Sequence, residues 1–339
     1  MDKDCRNEPL SFSKADAIRL TAALAVALFA SPRPAVAQIT PQVFAPGIIS
    51  GPAHDASAAF TPDGKTVFFS RSNTSSSTVL VSQRLGDSWS QPQIASFSGE
   101  WEDMEPTMSP DGSYLLFISN RPLHKGDKAA DGFFNGKSWP GRGSAIWRVD
   151  RTATDWGEPH PLPAEINSGP TVFAPSVAGN GSVYFMKPDG PKNKFRLFRA
   201  HWSGHRFDAP EALPFSTGEE TDVDPAVAPD ESFIVFGSGR APARSIDLFI
   251  CFQDDGTWGT PIHLGDVVNS PGSDAEARLS PDHRTLYFAS DRVAPTKFPE
   301  SLEARKHDLE EMADWNNSLY NIWFVSLDPW LKQHRTQGK

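Results

Sequence analysis

Acidic residues recur in this chain at fixed distances from a repeated turn, and carboxylates gathered in that way can hold a cation, a sugar or a basic peptide. The turns begin at Pro62, Pro110, Gly179, Pro229 and Pro281. Seven residues before the turn stand Asp55, Asp103, Asp222 and Asp274. Five residues before it stand Glu105, Asp224 and Glu276, and eleven residues after it stand Arg121, Arg240 and Arg292. A hairpin brings the start of its first strand beside the end of its second. Each arginine is therefore expected to brace both acids of its own repeat with forked hydrogen bonds. The first repeat differs: Ser57 replaces the second acid and Asn73 the arginine. Asp55 is thus expected to be an unpaired carboxylate and the better site candidate.

A second group is aromatic. Phe133, Phe134 and Trp139 lie in an insertion spanning 122–144, among His124, Lys125, Lys128, Lys137 and Arg142. A glycine-containing insertion has little core for such side chains, so they could anchor a partner or stack on a sugar. The histidines support no metal site. His201 and His205 are four apart but fall on a turn between strands, where zinc-ligand spacing has no meaning. Trp89, Trp156 and Trp258 recur at equivalent positions and are read as packing residues of the repeat. The sequence assigns neither a catalytic residue nor a cofactor.

The elements that position these groups are hairpins. Residues 58–69 read AAFTPDGKTVFF, and the pattern returns at 107–117, 176–185, 226–236 and 277–288. Each copy is an apolar strand end, a tight turn, and a strand rich in aromatic and β-branched residues. Proline presets φ at the first turn position, and Asp-Gly tolerates the turn conformations after it. The turn starts are 48, 69, 50 and 52 residues apart. A hairpin unit repeating at this period is the mark of a β-propeller. A third strand follows each hairpin, at 78–81, 145–149, 195–198, 246–250 and 321–325. A fourth is announced by an aromatic residue three before a proline: Trp89/Pro92, Trp156/Pro159, Phe207/Pro210 and Trp258/Pro261. The fifth repeat lacks that strand, while residues 38–44 resemble one with no hairpin before it. An N-terminal strand completing the last blade would close the ring and remove two sheet edges. The expected fold is all-β, one propeller of five four-stranded blades closed by the N-terminal strand, with six blades as the alternative.

The SPDGxxLxF pattern followed by an aromatic strand resembles the WD40-like PD40 repeat of TolB-like propellers, over about residues 41–327. The resemblance implies the fold and says little about function, since propellers host many roles. TolB itself carries an additional N-terminal domain and TolB-like propellers commonly have six blades; neither is visible in this sequence. Peptidases bearing such propellers add a hydrolase domain, and no Gly-x-Ser-x-Gly elbow is present.

Residues 1–37 are read as a secretory signal peptide. Lys14 and Arg19 precede an apolar run, 20–30, and Ala35-Val36-Ala37 offers cleavage after Ala37. Eleven apolar residues are too few to span a bilayer as a helix. Residues 38–331 then form the propeller and 332–339 a C-terminal tail. Cleavage would leave 27 Lys and Arg against 38 Asp and Glu, an acidic chain without a basic stripe, which argues against a nucleic-acid partner. Cys251 would be the one remaining thiol, read as a small buried hydrophobe.

Propeller topology puts the Pro-Asp-Gly turns on one face, called the bottom. Loops between second and third strands, and those between blades, share the top. Extra residues concentrate there, at 122–144 and 293–319; within the latter, 301–315 is expected to be a helix with Leu302, Leu309 and Met312 as its apolar stripe. The function expected is an exported, monomeric, non-catalytic module, periplasmic or secreted, that recognises a protein, peptide or glycan on its top face. The alternative is a carbohydrate-active enzyme with two carboxylates about 5–10 Å apart, drawn from Asp55 with Asp103 or Asp222.

Overall fold

The computed structural model describes residues 40–337, except 125, 135, 136, 170 and 191. The expected signal segment and its cleavage point lie outside the described residues. Five antiparallel sheets form the five blades. Their innermost strands are His54–Phe60, Asp103–Met108, Phe173–Val177, Asp222–Val227 and Asp274–Leu279. Each touches the innermost strand of the next blade, and the fifth touches the first, so the ring is closed.

Closure occurs as expected. Gln42–Val43 pairs with the third strand of blade 5, Asn321–Ser326, in the register Gln42 to Phe324 and Val43 to Trp323. Phe44, 8% exposed, completes the seam by packing edge-on against Phe60, Trp89, Tyr287 and Phe324. Aromatic side chains from blades 1 and 5 therefore bury one another at the join. The apolar run of each second strand packs between neighbouring blades, as with Phe69, Phe117, Phe185, Phe236 and Phe288, all under 2% exposed.

The turns owe their shape to side-chain hydrogen bonds. Asp63 Oδ1 accepts from Thr61 Oγ1 at 2.7 Å and from the Lys65 amide at 3.1 Å. Asp111 and Asp282 repeat this with Ser109 and Ser280. These bonds hold the three carboxyls below their ordinary range and explain why aspartate recurs at this position.

The recurrent tryptophans mark a bend and not the outer strand itself. Trp89 pairs with Arg84, and Gln93–Ile94 then pairs with Leu80 and Val81. Trp258 and Ile262–His263 do the same in blade 4. The segment after blade 5 is a helix, Asp328–Gln337, which crosses the position expected to divide propeller from tail.

The top-face insertions adopt two different forms. Gly132–Phe134 and Lys137–Trp139 make a short hairpin. Leu302–Ala313 is a helix, capped by Ser301 Oγ accepting the Ala304 amide at 3.1 Å. Its stripe does not pack inward: Leu302 is 74%, Leu309 55% and Met312 53% exposed. The anchoring residue is Trp315, just beyond the helix, which packs on Trp323.

Candidate functional site at the channel and top face

The acids sort into two rings. In the first, Asp103, Asp222 and Asp274 are each 0–1% exposed and bound by the expected arginines. Arg121 Nη2 lies 2.9 Å from Asp103, Arg240 Nη2 2.7 Å from Asp222, and Arg292 Nη2 2.6 Å from Asp274. The same nitrogens donate to the chain that enters the blade, at Phe97 O, Phe215 O and Val268 O. Each acid also accepts from that connection, Asp103 Oδ2 from Ser98 Oγ, Asp222 Oδ2 from Ser216 Oγ and Asp274 Oδ2 from the Ser270 amide. Each guanidinium also lies 5.0–5.1 Å above the phenylalanine ring of its own second strand. The first ring therefore fastens each inter-blade connection to its blade.

Asp55 belongs to this ring, which corrects the expectation that it is unpaired. Arg71 Nε donates to its Oδ1 at 2.7 Å and Arg71 Nη2 to its Oδ2 at 3.1 Å, while the same Nη2 reaches Ile49 O. The arginine was hidden by register. Arg71 stands nine residues after the turn and is the direct cross-strand partner of Asp55. In blades 2, 4 and 5 that position is Ser119, Ser238 or Ser290, and the arginine reaches back from two residues further on. Full burial outweighs the ion pair and pushes the Asp55 carboxyl up to about 6. Burial likewise raises Asp103.

Glu105, Asp224 and Glu276 form the second ring, and no arginine of the first ring bonds to them among the described residues. Two residues along a regular strand return to the same face. Here the strand is not regular. Register slips in the innermost strands of all five blades, and the residue five before the turn has φ between 50° and 58° in each: Ser57, Glu105, Ala174, Asp224 and Glu276. Such left-handed bulges turn the side chain out of the sheet. The three carboxyls belong to blades 2, 4 and 5, of which 2 is adjacent to neither of the others. Glu105 is nevertheless close enough to both to feel their charge, so they meet across the channel axis.

Each carboxylate ties its blade to the next. Glu105 Oε2 accepts the Ala174 amide at 2.5 Å, Asp224 Oδ2 accepts the Glu276 amide at 2.9 Å, and Glu276 Oε2 accepts the Ser57 hydroxyl. Burial first, then repulsion from neighbouring carboxylates, holds Glu105 well above its ordinary value and Asp224 at about 7. Below this ring Arg278 crosses the channel. It is 3% exposed, with Nε donating to Pro106 O at 3.0 Å and Nη1 to Ala277 O at 2.8 Å.

No family model and no curated protein matches the sequence. Among solved structures it is similar to a putative TolB from Agrobacterium tumefaciens, with 16% identity over 70% of each chain and a TM-score of 0.46. TolB from Acinetobacter baumannii is similar at 14% identity over 81% of this chain and 54% of that one, with a TM-score of 0.44. A gluconolactonase from Xanthomonas campestris is similar at 14% identity over 75% of this chain and 79% of that one, also at 0.44. In fold, the chain resembles the TolB-type propellers.

The aromatic insertion stands apart from both rings. Its hairpin is held between blades: Thr171 Oγ1 donates to Phe133 O at 2.8 Å, Arg142 donates to Glu102 at 2.8 Å, and Arg142 Nη2 reaches Thr74 O in blade 1. Phe133 is 55% and Trp139 51% exposed, so neither packs down on the blades. Phe133 pairs with Ser138 and Trp139 with Gly132; by strand alternation the two rings leave opposite faces of the hairpin. They are not one stacked platform. The Phe134 side chain lies outside the described residues.

Sequence reasoning missed Arg71 and Arg278. Arg71 was legible as an exchange of register, because its place nine after the turn is serine in three other blades. Arg278 was legible as the one charge at a position three before the turn, occupied elsewhere by Ala59, Thr107, Ser176 and Ala226.

Proposed function

We propose that this is an exported, non-catalytic binding module, monomeric and either periplasmic or secreted, that takes a protein, peptide or glycan on its top face. The observation carrying this reading is the blade 2 hairpin, a braced element that holds Phe133 and Trp139 more than half exposed. Exposed aromatic rings on a positioned scaffold are the usual anchors of binding energy. No helix among the described residues is long and apolar enough to cross a membrane. The hydrolase alternative loses support because Asp55, Asp103 and Asp222 are each committed to an arginine.

A glycan array and pull-downs from envelope extracts, run with wild type, Trp139→Ala and the bottom-face control Asp63→Asn, test the reading. Trp139→Ala is expected to weaken the top hit by roughly 30-fold, which corresponds to about 2 kcal/mol. Equal loss in the control would refute the face assignment. Release of reducing sugar from any hit would replace binding with catalysis.

A further inference from the structure

The turn-side half of the channel contains a buried guanidinium with one unpartnered nitrogen. Arg278 is 3% exposed, and among the described residues no carboxylate lies within ion-pair distance of it. Two of its three nitrogens donate to backbone carbonyls; Nη2 is buried and has no partner. A buried charge left unpaired is costly, and an orphaned buried donor calls for a bound water or ion.

The surroundings leave room for one. Arg278 lines a cavity of about 90 Å³ walled by the innermost strands of all five blades just above the turns. Water occupies about 30 Å³ in the liquid, so the space suits an ion the size of a halide or acetate. At Arg278's register position the other blades carry Ala59, Thr107, Ser176 and Ala226, small side chains that keep the lumen open around one guanidinium. Two of them bring hydroxyls. Ser176 Oγ accepts the Val227 amide at 3.0 Å, which leaves its own proton to donate inward. His283, at the cavity rim, is held below its ordinary value by burial.

We propose that this cavity binds a small monovalent anion, a halide or a short carboxylate, on Arg278 Nη2 with the Thr107 and Ser176 hydroxyls. The acids of the second ring do not take its place. They stand one step further toward the top, their hydrogen bonds run to Ala174, Glu276 and Ser57, and none of them bonds to Arg278 among the described residues. This site is independent of the top-face reading, since the two lie at opposite ends of the channel.

The test uses wild-type crystals grown without halide and soaked in sodium bromide, with data collected at the bromine edge. An anomalous peak within hydrogen-bonding distance of Nη2 is expected. In solution, melts at constant ionic strength in bromide, chloride, acetate and gluconate separate the sources: gluconate is too large for the cavity. The midpoint should rise by roughly 2–4 °C in at least one of the three small anions relative to gluconate. A rise in bromide and chloride alone assigns a halide site, and a rise in acetate alone a carboxylate site. Arg278→Gln should abolish the difference and Thr107→Val should reduce it; if the former does not fold, the soak and the latter still decide. A water without anomalous signal at Nη2, together with equal midpoints in all four salts, would overturn the proposal.

Discussion

Asp103 and Glu105 are two residues apart, both buried, and have opposite surroundings. Asp103 meets Arg121, Ser98 and its own blade's incoming chain; Glu105 meets the backbone of blade 3 and two other carboxyls. The difference comes from a single bulged residue in the strand. Where the backbone stays extended, the acid lies flat against its hairpin partner and finds an arginine. Where φ turns positive, the acid leaves the sheet for the axis and finds its equivalents from other blades. One repeat thus yields two kinds of carboxylate: one fixes a connection to its own blade, the other fixes one blade to the next while keeping a crowded, proton-hungry channel.

The first ring is the more costly to break. Arg121→Ala leaves Asp103 buried without its cation and removes the bond to Phe97 O, and should cost about 3–5 kcal/mol in urea unfolding. The paired change Arg121→Met with Asp103→Leu removes both charges and should recover most of that loss. If the double variant is as unstable as the single one, the ring acts through packing of Arg121 on Phe117 and Trp147, and the electrostatic account fails.

How far the sequence disclosed this can be judged from individual residues. The five blades and the closing strand were legible because hairpin turns leave fixed residue types at fixed intervals, and because a strand without a hairpin has to pair elsewhere. The pairing of Arg121, Arg240 and Arg292 with the first acids was legible for the same reason. The bulge was not: Ser57, Glu105, Ala174, Asp224 and Glu276 share a left-handed backbone, and none is glycine. No residue type announced it, so strand alternation put Glu105 on the wrong side. The Asp55 partner was obscured by a smaller shift, an arginine moved two places to the directly opposed position. Nor did composition indicate that the helix 302–313 would turn Leu302, Leu309 and Met312 outward, since a stripe states which residues share a face and not what that face meets.

The second ring should respond to pH in the opposite sense to ordinary acid denaturation. Asp224 is raised in the folded chain from 3.8 to about 7, and Glu105 is raised also. Between those values the folded state holds a proton that the unfolded chain has released, so stability falls as pH rises from about 4 through 7. At about 1.4 kcal/mol per unit, the rise of Asp224 alone would account for a cost on the order of 4 kcal/mol at pH 8. Melting midpoints measured between pH 5 and 8 should therefore decline for the wild type. Asp224→Asn keeps an acceptor for the Glu276 amide and should flatten the decline. An unchanged slope in that variant, and in Glu105→Gln, would mean that the channel carboxyls are solvated and not crowded.

The smallest effect on stability is expected at the top-face rim, and it separates a scaffold from what the scaffold carries. Trp139 is 51% exposed and takes part in neither ring, and its hairpin is fastened through Thr171 and Arg142, not through the indole. Trp139→Ala should leave the urea midpoint within about 0.5 kcal/mol of wild type and the pH dependence untouched. Arg142→Ala should cost little more, because its pairing with Glu102 is partly exposed, yet it frees the hairpin from blade 1. If aromatic display is what the brace serves, Arg142→Ala should impair ligand capture nearly as much as Trp139→Ala while the fold stays intact. Capture unaffected by Arg142→Ala would show that a flexible aromatic loop suffices. A marked loss of stability in Trp139→Ala would show the indole to be part of the fold, which would remove the ground for assigning it to a partner.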